Sequence, residues 1–159
     1  MSQWSKEQES TFWNRALSLL EIREHSRQEL NKKLLARGCP RSLSSFLVER
    51  CVEHNFINEE RYALRFAKLK MESGWGERRI RCELRRRGLS EELISKVCLL
   101  FEFDEVKDSQ EALAFELAVK KAKQGRNFAS VCRFLAGRGF PSEVVLAAAK
   151  KAFADVCLE

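Results

Sequence analysis

The residues with the clearest chemical potential are the arginines of residues 77–87. A helical rotation of about 100° per residue places Ile80 and Leu84 together on one side of this stretch. The opposite side then carries five guanidinium groups, those of Arg78, Arg79, Arg81, Arg85 and Arg86. A solvated helix face usually mixes Glu with Lys or Arg in i,i+4 pairs, whereas only Glu77 and Glu83 offset the arginines here. The pattern predicts a helix that is docked by two apolar residues and binds an anionic partner.

The excess positive charge of the chain is confined to the same region. Residues 61–90 carry ten basic and three acidic side chains, whereas the whole chain of 159 residues has a net charge of +6. Lys68 and Lys70, in the preceding predicted helix, join the five arginines as predicted partner-binding residues. Such an asymmetry bears on partners and not on the fold.

No residue pattern for catalysis or metal binding stands out in the sequence. There is no P-loop, and Gly74-Trp75-Gly76 is too short for a dinucleotide fingerprint. The most metal-like pair is Cys51 with His54, whose helical spacing is more often a packing arrangement. His25 precedes a predicted helix cap and is interpreted as a turn residue. We therefore expect no enzyme, no metal and no cofactor; an enzyme whose site is assembled only in space is the alternative.

Location and fold class follow from composition. The longest apolar run, Val144–Ala149, has six residues, so we expect no membrane span, and the N-terminus lacks the layout of a signal peptide. A cytoplasmic protein is therefore expected. Leu, Ala, Glu, Lys and Arg dominate, and the chain has only two prolines, which favours helices over strands.

The elements that position the arginines recur three times in the chain. Ser26–Cys39, Gly76–Leu89 and Asn127–Phe140 correspond at offsets of 50 and then 51 residues. Each copy is predicted to be the middle helix of a three-helix unit. Each middle helix ends at a glycine that can take the left-handed C′ conformation, and these structural glycines are Gly38, Gly88 and Gly139.

Helix starts are predicted from capping residues. Ser26 with Glu29 predicts a capping box, and Asn127 predicts the equivalent cap in the third copy. The first helices of the three units are predicted over 11–24, 58–72 and 109–123, with Asn58 and either Asp108 or Ser109 as caps of the later two. The third helices are predicted to start at Pro40, Ser90 and Pro141.

The predicted fold is all-α, with three tandem three-helix repeats in an elongated, curved array. The boundaries are a tail over 1–11 and repeats over 12–57, 58–107 and 108–157. A unit of this size buries too little apolar surface to be very stable alone, so neighbouring units must complete its core. A single compact helical bundle is the alternative. Trp75, beside the arginine helix, is predicted either to pack within the chain or to stack on a partner.

Three stretches of the chain resemble the RecX family of bacterial regulatory proteins: Arg23–Leu30, Phe56–Phe66 and Gly76–Ser90. The resemblance covers roughly residues 12–156. The family usually has Gly and Asp where this chain has Asn55 and Asn58, but Asn also adopts the left-handed conformation and also caps helices.

This resemblance implies a non-catalytic modulator of the recombinase RecA. We expect the protein to be a monomer. By this resemblance, the chain is expected to be a helical array that lies along the groove of the RecA filament on single-stranded DNA. It would limit filament extension and the ATPase, strand-exchange and co-protease activities of the filament. Recombination and the SOS response would thereby be restrained. Arg79, Arg81, Glu83 and Gly88 match the family motif, which implies contact roles for the two arginines and a structural role for the glycine. The alternative is a sequence-nonspecific DNA-binding helical repeat protein, with single- or double-stranded DNA touched directly.

Overall fold

The computed structural model describes residues 4–100 and 104–157. Over these residues the chain forms nine α-helices and no strand, which confirms the predicted all-α class with three consecutive sets of three helices. The helices are α1 (Lys6–Ile22), α2 (Arg27–Ala36), α3 (Arg41–Glu53), α4 (Glu59–Glu72), α5 (Glu77–Arg86), α6 (Glu91–Leu99), α7 (Asp104–Lys123), α8 (Phe128–Gly137) and α9 (Ser142–Val156). Within the described ranges, none of them combines the length and the apolar character that crossing a membrane requires.

Two helices begin earlier than their sequences predict. Helix α1 starts at Lys6 because Ser5 and Gln8 form a complete capping box, so the helix takes in residues assigned to the tail. Helix α7 starts at Asp104, which places Asp108 and Ser109 inside the helix. The prediction that either residue caps α7 is therefore wrong.

Other helix ends follow the predicted local chemistry. Asn58 and Asn127 each accept a hydrogen bond at 2.9 Å from the backbone N–H three residues further on. Asn55 adopts a φ of 58°, the left-handed conformation that this residue type tolerates. The three predicted C′ glycines have φ values of 83°, 81° and 89°, and the apolar residue after each one is buried: Gly38–Cys39, Gly88–Leu89 and Gly139–Phe140.

Internal contacts divide the chain into two compact units. The first unit is Met1–Ala63 with Arg86–Leu89, and the second is Leu64–Arg85 with Ser90–Glu159. The first core is formed by apolar residues of α1, α2 and α3, including Leu30 and Leu47, both fully buried. The second core includes a cluster from α7, α8 and α9 that contains Val131 and Leu135. Helix α5, which carries the arginines, contributes residues to both units.

Candidate partner-binding surface

Helix α5 is fixed by the two apolar residues that its helical wheel predicts. Ile80 and Leu84 are 1% and 0% exposed, which places them in the core. Arg78, Arg79 and the other predicted contact residues lie on the remaining circumference of the helix, where they are exposed or half-buried. The sequence pattern therefore predicted correctly which side of α5 is buried.

The amino-terminal end of α5 is held by the carboxyl-terminal end of α8 within the second unit. The Gly76 N–H donates to the Arg138 carbonyl at 2.8 Å, and the Arg78 N–H donates to the Gly139 carbonyl at 3.0 Å. Unpaired amides at one helix start thus satisfy unpaired carbonyls at another helix end. A Cβ on Gly76 would lie under 3.0 Å from the Gly139 backbone, so this approach requires glycine. This contact therefore fixes the position of the first turn of α5, which carries Arg78 and Arg79.

Two cations contact the Trp75 ring next to this helix–helix contact. The Arg79 guanidinium carbon is 3.9 Å from the centroid of the indole ring, and the Lys70 ammonium is 4.7 Å from it. Phe66 meets the indole edge-on at 6.5 Å. Trp75 therefore packs within its own chain, as one of its two interpretations predicts. Cation–π contacts of this kind contribute about 0.5–2 kcal/mol and orient Arg79 before any partner arrives.

The predicted contact residues Arg81 and Arg85 are ion-paired within the chain. Arg81 Nε lies 2.6 Å from Glu77 Oε1, one helical turn away, and both side chains are partly buried. Arg85 forms a two-point pair with Glu91 at the start of α6, and both side chains are exposed. Carboxylates of their own chain therefore partly neutralise these two arginines, which remain predicted contact residues. Since an exposed pair contributes only about 0–1 kcal/mol, Arg85 can still exchange Glu91 for another anion.

Further cations of the predicted set lie at the surface. Arg78, Arg79, Arg86 and Lys68 are exposed, and Lys70 is half-buried against Trp75. In the part of the chain that the structure describes, no ion pair or hydrogen bond engages the side chains of Arg78 and Lys68. We use the term basic face for all seven predicted residues, which are Lys68, Lys70, Arg78, Arg79, Arg81, Arg85 and Arg86.

Arg87 has a structural role that the sequence analysis missed. Its guanidinium binds the Glu29 carboxylate and donates to the Tyr62 hydroxyl at 2.7 Å within the first unit. Its carbonyl accepts a hydrogen bond from Ser26 Oγ at 3.0 Å. Glu29 is thereby used in ion pairs, so only the Ser26 half of the predicted capping box forms. The available signal was the position of Arg87 directly before Gly88, the same register as Arg138 before Gly139.

His25 is a buried member of the turn before α2. Its Nε2 lies 2.8 Å from the Lys33 ammonium and its Nδ1 lies 2.9 Å from the Arg23 carbonyl. Because an ammonium can only donate, Nε2 accepts and Nδ1 carries the proton of a neutral ring. Burial lowers the pKa of His25 below its usual 6.5, and the Arg23 and Lys33 cations lower it further, against opposing contributions from the Arg23 carbonyl and Glu29.

This burial predicts a pH-dependent stability. As pH falls below 6.5, the unfolded chain protonates His25 before the folded chain does, so the free energy of unfolding falls. Urea melts at pH 7.5 and 5.5 should show the loss in the wild type and in His54→Gln, which alters an exposed histidine. His25→Gln should be less stable at pH 7.5 and should lose less on acidification. Equal pH dependence in both variants would contradict this assignment.

Cys51 and His54, the pair considered for metal binding, lie in different environments. Cys51 is fully buried, and burial raises the pKa of its thiol to about 11, which keeps it protonated at neutral pH. His54 is exposed and stacks on Phe56 with ring centroids 5.6 Å apart. Among the described residues no group of three or more potential metal ligands comes together.

Comparison with known proteins gives a consistent family assignment. Residues 13–51 match the sequence profile of the RecX first three-helix domain, and residues 58–97 match that of the second. Regulatory protein RecX of Pseudomonas entomophila (strain L48) is 35% identical over 130 residues, which cover 82% of this chain and 84% of that protein. Regulatory protein RecX of Xanthomonas axonopodis pv. citri (strain 306) is 33% identical over 142 residues, which cover 89% and 88%.

A solved structure shares the fold. The crystal structure of RecX from Lactobacillus salivarius superposes with a TM-score of 0.80 and 17% sequence identity, covering 94% of this chain and 99% of that one. The similarity of fold and the identity to the two relatives over most of the chain agree with each other. This chain belongs to the RecX family of regulatory proteins.

Proposed function

We propose that this protein is a negative regulator of RecA that acts in the cytoplasm along the groove of the RecA filament on single-stranded DNA. It limits filament extension and lowers ATP hydrolysis, strand exchange and co-protease activity, and so restrains recombination and the SOS response. The observation that carries the proposal is the basic face, in which Arg78 and Arg79 are exposed on a helix that the chain itself holds in place. Its family membership supports a regulatory role.

The repeated architecture suits a polymeric partner. We propose that repeats over 12–57, 58–107 and 108–157 each contact the filament, with the basic face of the middle repeat against an acidic filament surface or exposed DNA backbone. Several weak contacts made by one chain raise the overall avidity without any single strong site. Regulation by such surface contacts does not require a pocket, a metal or a cofactor.

Sequence-nonspecific DNA binding is the second candidate, since the basic face would also attract free phosphates. If five arginines neutralised duplex phosphates, log affinity would fall with log salt concentration at a slope of about −4. The pairing of Arg81 with Glu77 and of Arg85 with Glu91 reduces the number of free charges and favours a shallower slope. A filament partner that is also held by apolar contacts would show weaker salt dependence than free DNA.

The test is a titration of the protein into RecA filaments on single-stranded DNA while ATP turnover is followed. We expect turnover to fall at protein concentrations that leave bare single-stranded DNA unbound, as measured by fluorescence anisotropy of labelled DNA. Equal affinity for bare DNA and for the filament would favour the nonspecific DNA-binding alternative. Unchanged turnover at saturating protein would contradict the proposal.

A further inference from the structure

The middle helices of consecutive repeats meet through one recurring kind of contact. The leading end of a middle helix is the turn before the helix together with its first turn. The trailing end is the residue that follows the helix, which is Arg37, Arg87 or Arg138, together with the C′ glycine after it. In the first unit, Ser26 Oγ of a leading end donates to the Arg87 carbonyl of a trailing end. In the second unit, the Gly76 N–H of the next leading end donates to the Arg138 carbonyl of the next trailing end.

In both of these contacts the trailing glycine lies close against the leading end. A Cβ on Gly88 would lie 2.8 Å from Cδ of Gln28, in the leading end of α2. A Cβ on Gly139 would lie under 3.0 Å from Arg79, in the leading end of α5. The turns before α2 and α5 are correspondingly covered, since His25 and Ser26 are 2% and 0% exposed and both Gly74 and Gly76 are buried.

The third leading end has the same local conformation but is uncovered. Gly125 has a φ of 79°, close to the 82° of Gly74 at the equivalent position. A Cβ on Gly74 would lie 3.3 Å from Leu117, whereas a Cβ on Gly125 would meet nothing within 4 Å. Every residue from 123 to 129 is exposed.

The first trailing end is likewise uncovered. A Cβ on Gly38 would meet nothing within 4 Å, although Gly38 has the same left-handed φ as Gly88 and Gly139. Beside it lies a groove of about 330 Å³, which is lined by Asn14, Arg15, Ser18, Leu19, Ile22 and Arg37. Ile22 is 79% exposed, the largest exposed fraction among the large apolar residues of the described ranges.

We propose that the third leading end of one copy docks on the first trailing end of a second copy, so that chains associate head to tail. A second copy is the fitting occupant because each open surface has the form of one already paired inside the chain. The two surfaces differ from each other, so the interface is heterologous and each docked copy leaves one open end for the next. A monomer is then the form at low concentration.

Asn127 supplies the matching hydrogen-bond chemistry. Its Oδ1 accepts from the Ser130 N–H at 2.9 Å, as Ser26 Oγ accepts from the Glu29 N–H at 3.2 Å. The Arg37 carbonyl accepts from Arg15 Nη1 at 3.5 Å within its own chain. Its second lone pair is the acceptor for an NH₂ donor of Asn127 from a second copy, as the Arg87 carbonyl is for Ser26 Oγ. The proposed contact therefore follows the arrangement in the first unit, where the residue equivalent to Asn127 is Ser26, which also has a Cβ.

Charge sets the salt dependence of this contact. Arg15 and Arg37 line the groove, while Lys123 and Arg126 belong to the stretch that would dock on it. Repulsion between these cations weakens the association at low salt, and added salt screens it. Head-to-tail association should therefore strengthen with salt, whereas binding to a polyanion weakens.

Two variants of the full chain can each block one end. Gly38→Asn places a Cβ on the trailing surface, where nothing lies within 4 Å in the isolated chain, and Asn tolerates the left-handed φ. Ala129→Trp places an indole on the exposed leading surface, at the position that Gln28 and Arg78 hold in the other repeats. Circular dichroism melts would establish that both variants are folded.

Sedimentation equilibrium from micromolar to millimolar protein tests the proposal. The wild type should show a mass that rises steadily above the 18.4 kDa of one chain, and more steeply at high salt. Each variant alone should stay monomeric, while their equimolar mixture should form dimers and nothing larger, because each partner contributes its one intact end.

Three results would overturn the head-to-tail contact. The first is a wild type that stays monomeric at every concentration and salt. The second is a mixture that is no heavier than its folded components. The third is association of each single variant to the wild-type extent, which would place the interface elsewhere. None of these measurements involves RecA, so their outcome is independent of the proposed function.

Discussion

Reversal of the charge on Arg78 and Arg79 together should strongly weaken inhibition of RecA-filament ATP hydrolysis while leaving the chain folded. Both side chains are exposed in the first turn of α5, and neither is ion-paired to a carboxylate in the described parts of the chain. Glutamate in the first turn of a helix is favoured by the helix dipole, so the double variant is compatible with α5. The main structural loss is the contact of Arg79 with Trp75, worth about 0.5–2 kcal/mol.

The size of the effect follows from the strength of charged contacts. A hydrogen bond to a charged group contributes about 1.5–3 kcal/mol, so two lost contacts amount to about 3–6 kcal/mol. Because about 1.4 kcal/mol corresponds to a tenfold change, the inhibitory concentration should rise about a hundredfold or more. The measurement is a titration of filament ATP turnover with the Arg78→Glu, Arg79→Glu variant.

A matched control is available on the other two middle helices. Lys32→Glu with Arg133→Glu makes the same change in net charge on exposed positions of α2 and α8. If net charge alone governed binding, this control would lose inhibition as fully as the α5 variant. Full inhibition by a folded α5 variant would show that the basic face is not the contact surface.

The second large effect is expected at Gly76, where alanine should destabilise the protein by about 2–4 kcal/mol. Its φ is not in the left-handed region, so the cost is steric. A Cβ there would lie under 3.0 Å from backbone atoms of Gly139 and Phe140, which cannot rotate away as a side-chain tip would. To relieve this clash, α5 must separate from α8 and lose the hydrogen bonds from Gly76 and Arg78.

Gly137→Ala is the control for this substitution. Gly137 ends α8, and a Cβ there would meet nothing within 4 Å. Alanine at that position should stabilise the chain by up to about 1 kcal/mol, because glycine is the poorer helix former. Urea melts of the two variants should therefore shift in opposite directions. A Gly76→Ala melt that coincides with the wild type would mean that the contact does not limit stability.

Features that one short segment determines were predictable from the sequence. Ser26 and Asn127 cap their helices, and Gly38 takes the left-handed C′ conformation, because each depends on a few neighbouring residues. The start of α7 was not predictable in this way, since no glycine or proline separates Asp104 from the predicted start near 109. The buried side of α5 was predictable from the helical period alone.

The state of each arginine was harder to predict because its partners lie elsewhere in the chain. Arg85 is paired with Glu91, which belongs to the next helix, and Arg87 is paired with Glu29, which lies 58 residues away. A helical wheel sorts residues by side but cannot show which carboxylates the fold brings within reach. The sequence therefore predicted which side of α5 carries the cations, whereas their ion pairing depends on carboxylates that only the fold brings near.

The proximity of Trp75 to Lys70 and Arg79 gives the proposed surface an optical reporter. Indole emission responds to the local electric field, and both positive groups lie within 5 Å of the ring centroid. Once Trp4 and Trp13 are replaced by phenylalanine, any anion that draws Arg79 off the ring would register in the emission spectrum. Engagement of this surface could then be followed in real time without a label.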